Sequence, residues 1–292
     1  MLRLPLLPAL SLSLGLALAA LPAGAADQAL RDRVAELFKQ RQWAEAQAVL
    51  EKVTVDEPTN AEAWNFLGQA ILARGDYEKA IPPLEQATQL DPGKCDYFLQ
   101  LGNAYGVGAA KAGLLSKMGL AKKCKAAYDK AVELDPTNIN ARWSVMEYCK
   151  QAPGIVGGGM DGAYAQAEAI KKLDARRGRI AYASLYVSDK KYPEAFALFE
   201  AALRDNPADT DALYQVGRLA AISGEQLDRG LAALRECVKL EGGNNARTQT
   251  RIGNILEKQG DKPGAKAAYE AAIALEPNFV QAIEALRKLT AG

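Results

Sequence analysis

Small and apolar residues recur along the chain at a helical spacing. A small residue stands at seven positions that are 32 to 44 residues apart, and apolar residues follow four and seven positions after each of them. Steps of four and three return to one face of an α-helix, so each set predicts the buried stripe of one helix. The small residues are Ala46, Ala80, Cys124, Ala163, Ala195, Gly230 and Ala265, and the first apolar residues are Leu50, Leu84, Tyr128, Ala167, Phe199, Leu234 and Tyr269. The pattern predicts an all-α chain built from seven copies of one unit.

A glycine recurs in a second segment of the unit, upstream of the small residue. Glycine costs a helix about 1 kcal/mol relative to alanine, so its repeated use indicates that another backbone or side chain approaches closely there. Each unit is therefore predicted to be a hairpin of two packed helices, with a turn between them and a helix-ending proline after most copies. The dipeptides that carry the glycine are Leu67-Gly68, Leu101-Gly102, Val216-Gly217 and Ile252-Gly253.

The copy at residues 61–94 carries a recognisable series of residues. In order they are Trp64, Leu67, Gly68, Tyr77, Ala80, Leu84, Ala87 and Pro92. This series resembles the tetratricopeptide repeat family, and the resemblance extends over nearly all of residues 27–292. It implies a right-handed α-solenoid of about seven helical hairpins with a C-terminal capping helix. The predicted repeats are 27–60, 61–94, 95–138, 139–175, 176–209, 210–244 and 245–279, and the cap is 280–290.

Two central repeats depart from the common length. Residues 106–117 add about ten positions to the third repeat, and residues 152–162 add a glycine-rich stretch to the fourth. Gly157, Gly159 and Gly162 spell G-x-G-x-x-G, but no strand is predicted before them, so we interpret the stretch as a flexible connector rather than a nucleotide site. In the second repeat, Pro82 and Pro83 predict a late start or a kink of the second helix.

The first 26 residues have the order of a secretory signal peptide. Arg3 precedes an apolar run from Leu4 to about Leu21, and a small-residue cleavage site follows at Ala25 or Ala26. We therefore expect an exported, bacterial-type protein that is periplasmic or secreted, with an uncleaved anchor as the alternative. No later segment is apolar enough to span a membrane. Lysine and arginine total 36 against 35 acidic residues, so nothing favours a nucleic-acid partner.

The composition argues against catalysis. The chain has no histidine, which removes the commonest general base and zinc ligand. None of the four cysteines has a C-x-x-C spacing, so neither a metal site nor a cofactor is expected. Cys124 and Cys149 lie at nearly equal distances from Pro136, and a disulfide between them is possible. The alternative is that Cys124, like Cys237, is a small buried apolar group, because both occupy repeat positions that normally hold alanine.

The resemblance implies that the partner lies in a concave groove lined by the first helix of each repeat. We expect a non-catalytic scaffold or adaptor of the cell envelope that binds a protein or peptide segment, with a self-associating structural oligomer as the alternative. By family position the groove residues are Arg31, Asn65, Gln69, Asn103, Trp143, Glu147, Tyr214, Arg218 and Asn254, joined by Glu62, Asp96 and Arg247. Amide side chains suit a peptide backbone, and arginine suits carboxylates.

Overall fold

The structure is a computed structural model that describes residues 23–240 and 242–291, and every regular element in these residues is helical. Residues 1–22, which hold most of the predicted signal peptide, lie outside the described residues. The chain divides into two compact units, one ending at Leu90 and one beginning at Asp91. Within the described residues, no helix combines the length and the apolar character that a membrane span requires.

The first unit consists of two helical hairpins around a shared apolar core. Val34, Leu50 and Ala80 are almost fully buried in it. Leu50 and Ala80 are members of the repeated small and apolar positions, so the periodicity locates the core correctly. The helices are α1 (Ala23–Lys39), α2 (Trp43–Asp56), α3 (Ala61–Ala73) and α4 (Tyr77–Leu90).

The second unit contains five hairpins and one closing helix. Its helices are α5 (Cys95–Lys111), α6 (Leu114–Leu134), α7 (Ile139–Gln151), α8 (Met160–Leu173), α9 (Ala175–Ser188), α10 (Tyr192–Asp205), α11 (Thr210–Ser223), α12 (Leu227–Lys239), α13 (Ala246–Lys258), α14 (Lys262–Leu275) and α15 (Val280–Ala291). Together with the two hairpins of the first unit, they confirm the predicted fold class, an α-solenoid of about seven hairpins with a C-terminal helix.

Polar caps fix where most first helices begin. Asn60, Asn138 and Asp209 each stand two residues after a proline that ends the preceding repeat, and each side chain accepts a hydrogen bond from a backbone N–H in the first turn of the next helix. Such caps satisfy amides that have no partner within the helix and contribute about 1 kcal/mol each. Gly75 and Gly260 adopt positive φ in the turn between the two helices of their repeats.

The recurrent glycines lie against the second helix of the same hairpin. A Cβ added at Gly68 would fall within 3.0 Å of the Leu84 side chain, and one added at Gly217 would fall within 3.0 Å of Leu234. The seven small residues of the second helices are buried as well. The glycine therefore leaves space for a large side chain of the facing helix, which explains why the repeats keep it despite its poor helix propensity.

The two adjacent prolines of the second repeat are contained in a helix. Helix α4 begins at Tyr77, so Pro82 and Pro83 are its sixth and seventh residues and the predicted late start is wrong. Pro83 is buried, whereas Pro82 is exposed. Packing of Pro83 in the hairpin core helps to offset the two backbone donors that the prolines lack.

The third hairpin is longer than the others. Helices α5 and α6 have 17 and 21 residues, and most of the predicted insertion at 106–117 lies within them rather than in a loop. The glycine-rich connector after α7 is also structured, because it forms a 3₁₀ turn at Gly154–Val156 that contacts α6. Within that connector the Gly159 N–H donates to the Cys149 carbonyl oxygen at 2.7 Å, and the Tyr148 hydroxyl donates to the Val156 carbonyl oxygen at 2.7 Å.

The closing helix α15 covers the last hairpin with one face only. Ala282 is fully buried against Ala246 and Ala272. Val280 and Ile283, one helical turn apart, remain 60% and 41% exposed. The helix caps the core but leaves a small apolar strip in water, where a closing repeat normally presents polar residues.

Candidate functional site

In the first unit, the residues predicted for a groove are partly occupied by contacts within the unit. Arg31 Nε donates to Glu62 Oε2 at 2.7 Å, which joins α1 to α3. Asn65 is only 5% exposed, and its Oδ1 has no hydrogen-bond partner among the described residues. Gln69 is half-buried on α3. Because Asn65 is buried, a ligand cannot easily contact it. It is therefore a poorer candidate for a ligand-binding residue than its position in the repeat suggests.

Two of the predicted groove asparagines hydrogen-bond a tyrosine of their own repeat. The Tyr128 hydroxyl donates to Asn103 Oδ1 at 2.8 Å. In the last repeat the Asn254 amide and the Tyr269 hydroxyl are 2.9 Å apart, and the amide orientation that satisfies both of its polar atoms directs Nδ2 to Tyr269 and Oδ1 to Arg251. Each asparagine therefore serves as the hydrogen-bond partner of a buried tyrosine hydroxyl, in addition to any role toward a ligand.

The pairing of tyrosine with asparagine can be recognised in the sequence. In repeats three and seven the glycine of the first helix faces tyrosine and is followed by asparagine. In repeats two and six it faces leucine and is followed by a glutamine or an arginine, Gln69 or Arg218. A tyrosine at a leucine position brings a hydroxyl that needs a partner, and the residue after the glycine supplies it.

The second unit has a cleft formed by the first helices of its last repeats and α15. We call it the C-terminal cleft; its volume is about 630 Å³. It contains three of the residues that family position places in the groove, Tyr214 from α11 and Arg247 and Asn254 from α13. The full lining is Tyr214, Arg247, Thr250, Arg251, Asn254, Glu257, Tyr269, Phe279, Gln281, Glu284, Ala285 and Lys288.

The lining of this cleft carries the cations Arg247, Arg251 and Lys288 and the carboxylates Glu257 and Glu284, and Arg218 lies close to Arg251. Burial, and then the neighbouring charge of Arg251, lower the pKa of Arg218 below its usual value. Arg218, Arg247 and Arg251 have no carboxylate within ion-pair distance among the described side chains. Glu257, the nearest lining carboxylate in sequence, accepts the Tyr269 hydroxyl at 2.8 Å. The cleft therefore presents the guanidinium groups of Arg247 and Arg251, which no carboxylate of the described residues meets at ion-pair distance.

Trp143 and Glu147, also predicted for the groove, lie together in a second cleft, which we call the central cleft. It measures about 590 Å³ and is formed by the long third hairpin, α7 and the connector after it. Glu147 is paired with Lys150 at 2.6 Å and accepts a longer hydrogen bond from Ser184. The full lining is Gly106, Ala109, Ala110, Lys117, Ala121, Cys124, Tyr128, Trp143, Ser144, Glu147, Tyr148, Gln151, Ala152, Pro153 and Val156.

The cysteines considered for a disulfide are free thiols in this structure. Cys124 and Cys149 are both buried in the second unit, and the pairing between them stays a prediction. Burial raises the pKa of Cys124 to about 11, so its thiol is protonated at neutral pH and a weak nucleophile. Within the described part of the chain, no three cysteine and acidic side chains are grouped closely enough to hold a metal ion.

Comparison with known protein families identifies three matching segments. Models of the tetratricopeptide repeat match residues 31–94, 109–138 and 246–279. These segments lie in the first two hairpins, in α6 of the long hairpin, and in the hairpin that forms much of the C-terminal cleft. A search of curated proteins gives no match.

Solved structures show the same fold at low sequence identity. A tetratricopeptide repeat protein from Parabacteroides merdae is 18% identical, with a TM-score of 0.61 over 92% of this chain and 100% of that one. Yeast Tom70 is 16% identical, with a TM-score of 0.64 over 85% of this chain and 51% of its own. The chain thus spans about half the length of Tom70, and the likeness concerns the helical architecture.

Proposed function

Because the chain is a tetratricopeptide repeat protein, we propose that it is a non-catalytic scaffold whose C-terminal cleft binds an acidic segment of a partner protein. Proteins with this repeat generally mediate protein–protein interactions. The observation that carries the proposal is the pair Arg247 and Arg251, which line the cleft and have no carboxylate partner at ion-pair distance among the described side chains. A carboxylate of the partner forms charge-assisted hydrogen bonds with these guanidinium groups.

Apolar side chains beside the arginines support a protein segment as the ligand. Tyr214 and Phe279 are half-buried in the same cleft and offer aromatic surface for an apolar residue next to the acidic one. Glu284 and Lys288 lie on the exposed side of α15, at the margin of the cleft. Aromatic residues and arginine are enriched at protein interfaces, and arginine pairs well with carboxylates, so the combination favours a segment with an acidic residue beside an apolar one.

The test is binding to an array of 12-residue peptides, followed by fluorescence anisotropy with one selected peptide at physiological salt. We expect the native chain to select peptides that carry Asp or Glu beside an apolar residue. The double variant Arg247→Gln/Arg251→Gln should weaken binding about tenfold or more, because two charge-assisted contacts are lost. Its thermal unfolding midpoint should change by no more than a few degrees, since the substitution breaks no ion pair among the described side chains and loses one hydrogen bond, from Arg251 to Asn254.

Arg235→Gln is the matched control, because Arg235 is exposed on α12 and does not line the cleft. Equal affinity of the double variant and the native chain would contradict the proposal. If the native chain captures only further copies of itself, a self-associating structural oligomer becomes the better-supported function. The exposed Val280 and Ile283 are the structural feature that favours that alternative.

We also propose that the protein acts in the cell envelope, as a periplasmic or secreted chain. The support is the order of Arg3, the apolar run and the small residues at Ala25 and Ala26. N-terminal sequencing of the chain from an envelope fraction is expected to begin at Ala26 or Asp27. Recovery of the chain in the cytosol with its first residues intact would contradict export.

A further inference from the structure

The central cleft owes its space to small side chains on the lengthened third hairpin. Gly106 and Ala109 of α5 and Ala121 of α6 form one side of it. Trp143, half-buried on α7, and Tyr148 form the opposite side. Four further lining residues, Ala110, Ala152, Pro153 and Val156, are also apolar. A largely apolar cleft of about 590 Å³ lies within the range of sites for small ligands.

Many polar groups of this cleft are already hydrogen-bonded within the protein. The Tyr148 hydroxyl donates to Val156 O, and the Tyr128 hydroxyl donates to Asn103 Oδ1. Gln151 Nε2 donates to Glu147 Oε2 at 3.2 Å. A buried peptide backbone needs partners for its N–H and C=O groups, and this lining supplies few of them. The cleft therefore favours an apolar body without amides over a protein segment.

The two charged side chains of the lining, Glu147 and Lys117, differ in whether they form an ion pair within the protein. Glu147 is held by Lys150 at 2.6 Å, so its negative charge is largely compensated. Lys117, in the first turn of α6, is exposed and has no carboxylate within ion-pair distance among the described side chains. An anionic group at that margin is complementary to Lys117, whereas a cationic ligand has no free carboxylate to meet it.

We propose that the central cleft binds a small amphiphilic carboxylic acid, with its apolar body between Ala109, Ala121 and Trp143 and its carboxylate at Lys117 Nζ. This site is separate from the C-terminal cleft, and its ligand is a small molecule rather than a protein segment. The two proposals are therefore tested by different experiments, and failure of one does not imply failure of the other. The extra residues at 106–117, which distinguish this hairpin from the others, then supply part of the ligand site, including Ala109 and Lys117.

The experiment titrates the full chain with decanoate, below the concentration at which decanoate aggregates, and follows tryptophan fluorescence and heat of binding. Trp143 lies in the cleft, whereas Trp43 and Trp64 belong to the first unit, so a fluorescence change on binding should come from Trp143 and should disappear in Trp143→Phe. 1-Decanol has the same apolar body without the charge. Decanoate is expected to bind more tightly than 1-decanol.

Filling the cleft tests where the apolar body lies. Ala121→Phe should weaken decanoate binding about tenfold or more, because the ring takes the ligand's space. Ala126→Phe is the matched control, since Ala126 is exposed on the same helix and outside the lining. Ala109→Phe serves as a second filling variant if circular dichroism shows that Ala121→Phe is not folded. Equal affinity of a folded filling variant and the native chain would overturn the proposal.

Removing the charge tests the carboxylate contact. Lys117→Gln is expected to weaken decanoate about two- to fivefold, as for an exposed ion pair, and to leave 1-decanol unchanged. Lys122→Gln, an exposed residue outside the lining, should change neither ligand. Failure of the native chain to bind decanoate, or an identical effect of Lys117→Gln on both ligands, would show that the cleft is not a carboxylic acid site.

Discussion

Replacing Tyr269 with alanine is expected to lower the free energy of unfolding by about 3–5 kcal/mol, the range for deletion of a buried aromatic ring. Tyr269 is the largest fully buried side chain of the described residues and lies against Gly253. Its hydroxyl also donates to Glu257 at 2.8 Å and pairs with the Asn254 amide. Alanine thus removes the ring from the core and leaves both polar partners without the hydroxyl. Urea unfolding followed by circular dichroism measures the loss.

The variant Tyr269→Phe separates the ring from the hydroxyl. It should cost about 1–3 kcal/mol, because the ring stays in place and only the hydrogen bonds are lost. Burial raises the pKa of Tyr269 above its ordinary value of 10.0, so the unfolded state loses the phenolic proton first and stability falls as pH rises above about 10. That part of the alkaline decline should be absent in Tyr269→Phe. Equal costs for alanine and phenylalanine would contradict the packing role of the ring.

Replacing Gly217 with alanine is expected to lower the free energy of unfolding by about 1–3 kcal/mol, as for an overpacked core. An added Cβ would lie within 3.0 Å of three Leu234 side-chain atoms, and Leu234 is fully buried. The same substitution at an open position of a helix normally stabilises, because alanine has the better helix propensity. A loss of stability therefore indicates that the added Cβ collides with Leu234, whereas a gain indicates that it does not. The midpoint of urea unfolding measures it.

A matched control and a double variant sharpen this test. Gly119 lies in α6, and its added Cβ meets no described atom within 4 Å apart from the neighbouring residues and the backbone of its own helix, so Gly119→Ala should stabilise by up to about 1 kcal/mol. Leu234→Ala alone should cost about 2–5 kcal/mol. The double variant Gly217→Ala/Leu234→Ala should cost less than the sum, because the new methyl group occupies part of the vacated space. Strict additivity of the two substitutions would contradict direct packing between these positions.

The hairpin architecture could be predicted from the sequence because its cause is local and repeated. Seven small residues at one register, and glycines such as Gly217 upstream of them, reveal both helices and the surface on which they meet. The spacing of apolar residues does not reveal how a helix accommodates residues that normally disrupt it. Pro82 and Pro83 violate a helix rule, yet α4 runs through both of them, because tertiary packing of Pro83 outweighs the local preference.

The candidate sites were less predictable, because they depend on contacts between helices. The structure has Tyr214 and Asn254 in the lining of one cleft, but position in the repeat does not show that Asn254 hydrogen-bonds Tyr269 or that Asn65 is buried. The extra residues at 106–117 are evident from repeat length. That they lengthen two helices and form an apolar cleft beside Trp143 follows only from the packing of three helices.

The pattern of contacts between helices also determines how the chain acquires its structure. In each unit, the described helices contact chiefly the next helix or the one after it. Contacts between residues close in sequence require little loop closure, so folding is expected to be fast for a protein of this size. A growing chain can then form each hairpin as its second helix emerges, before the later repeats have been made.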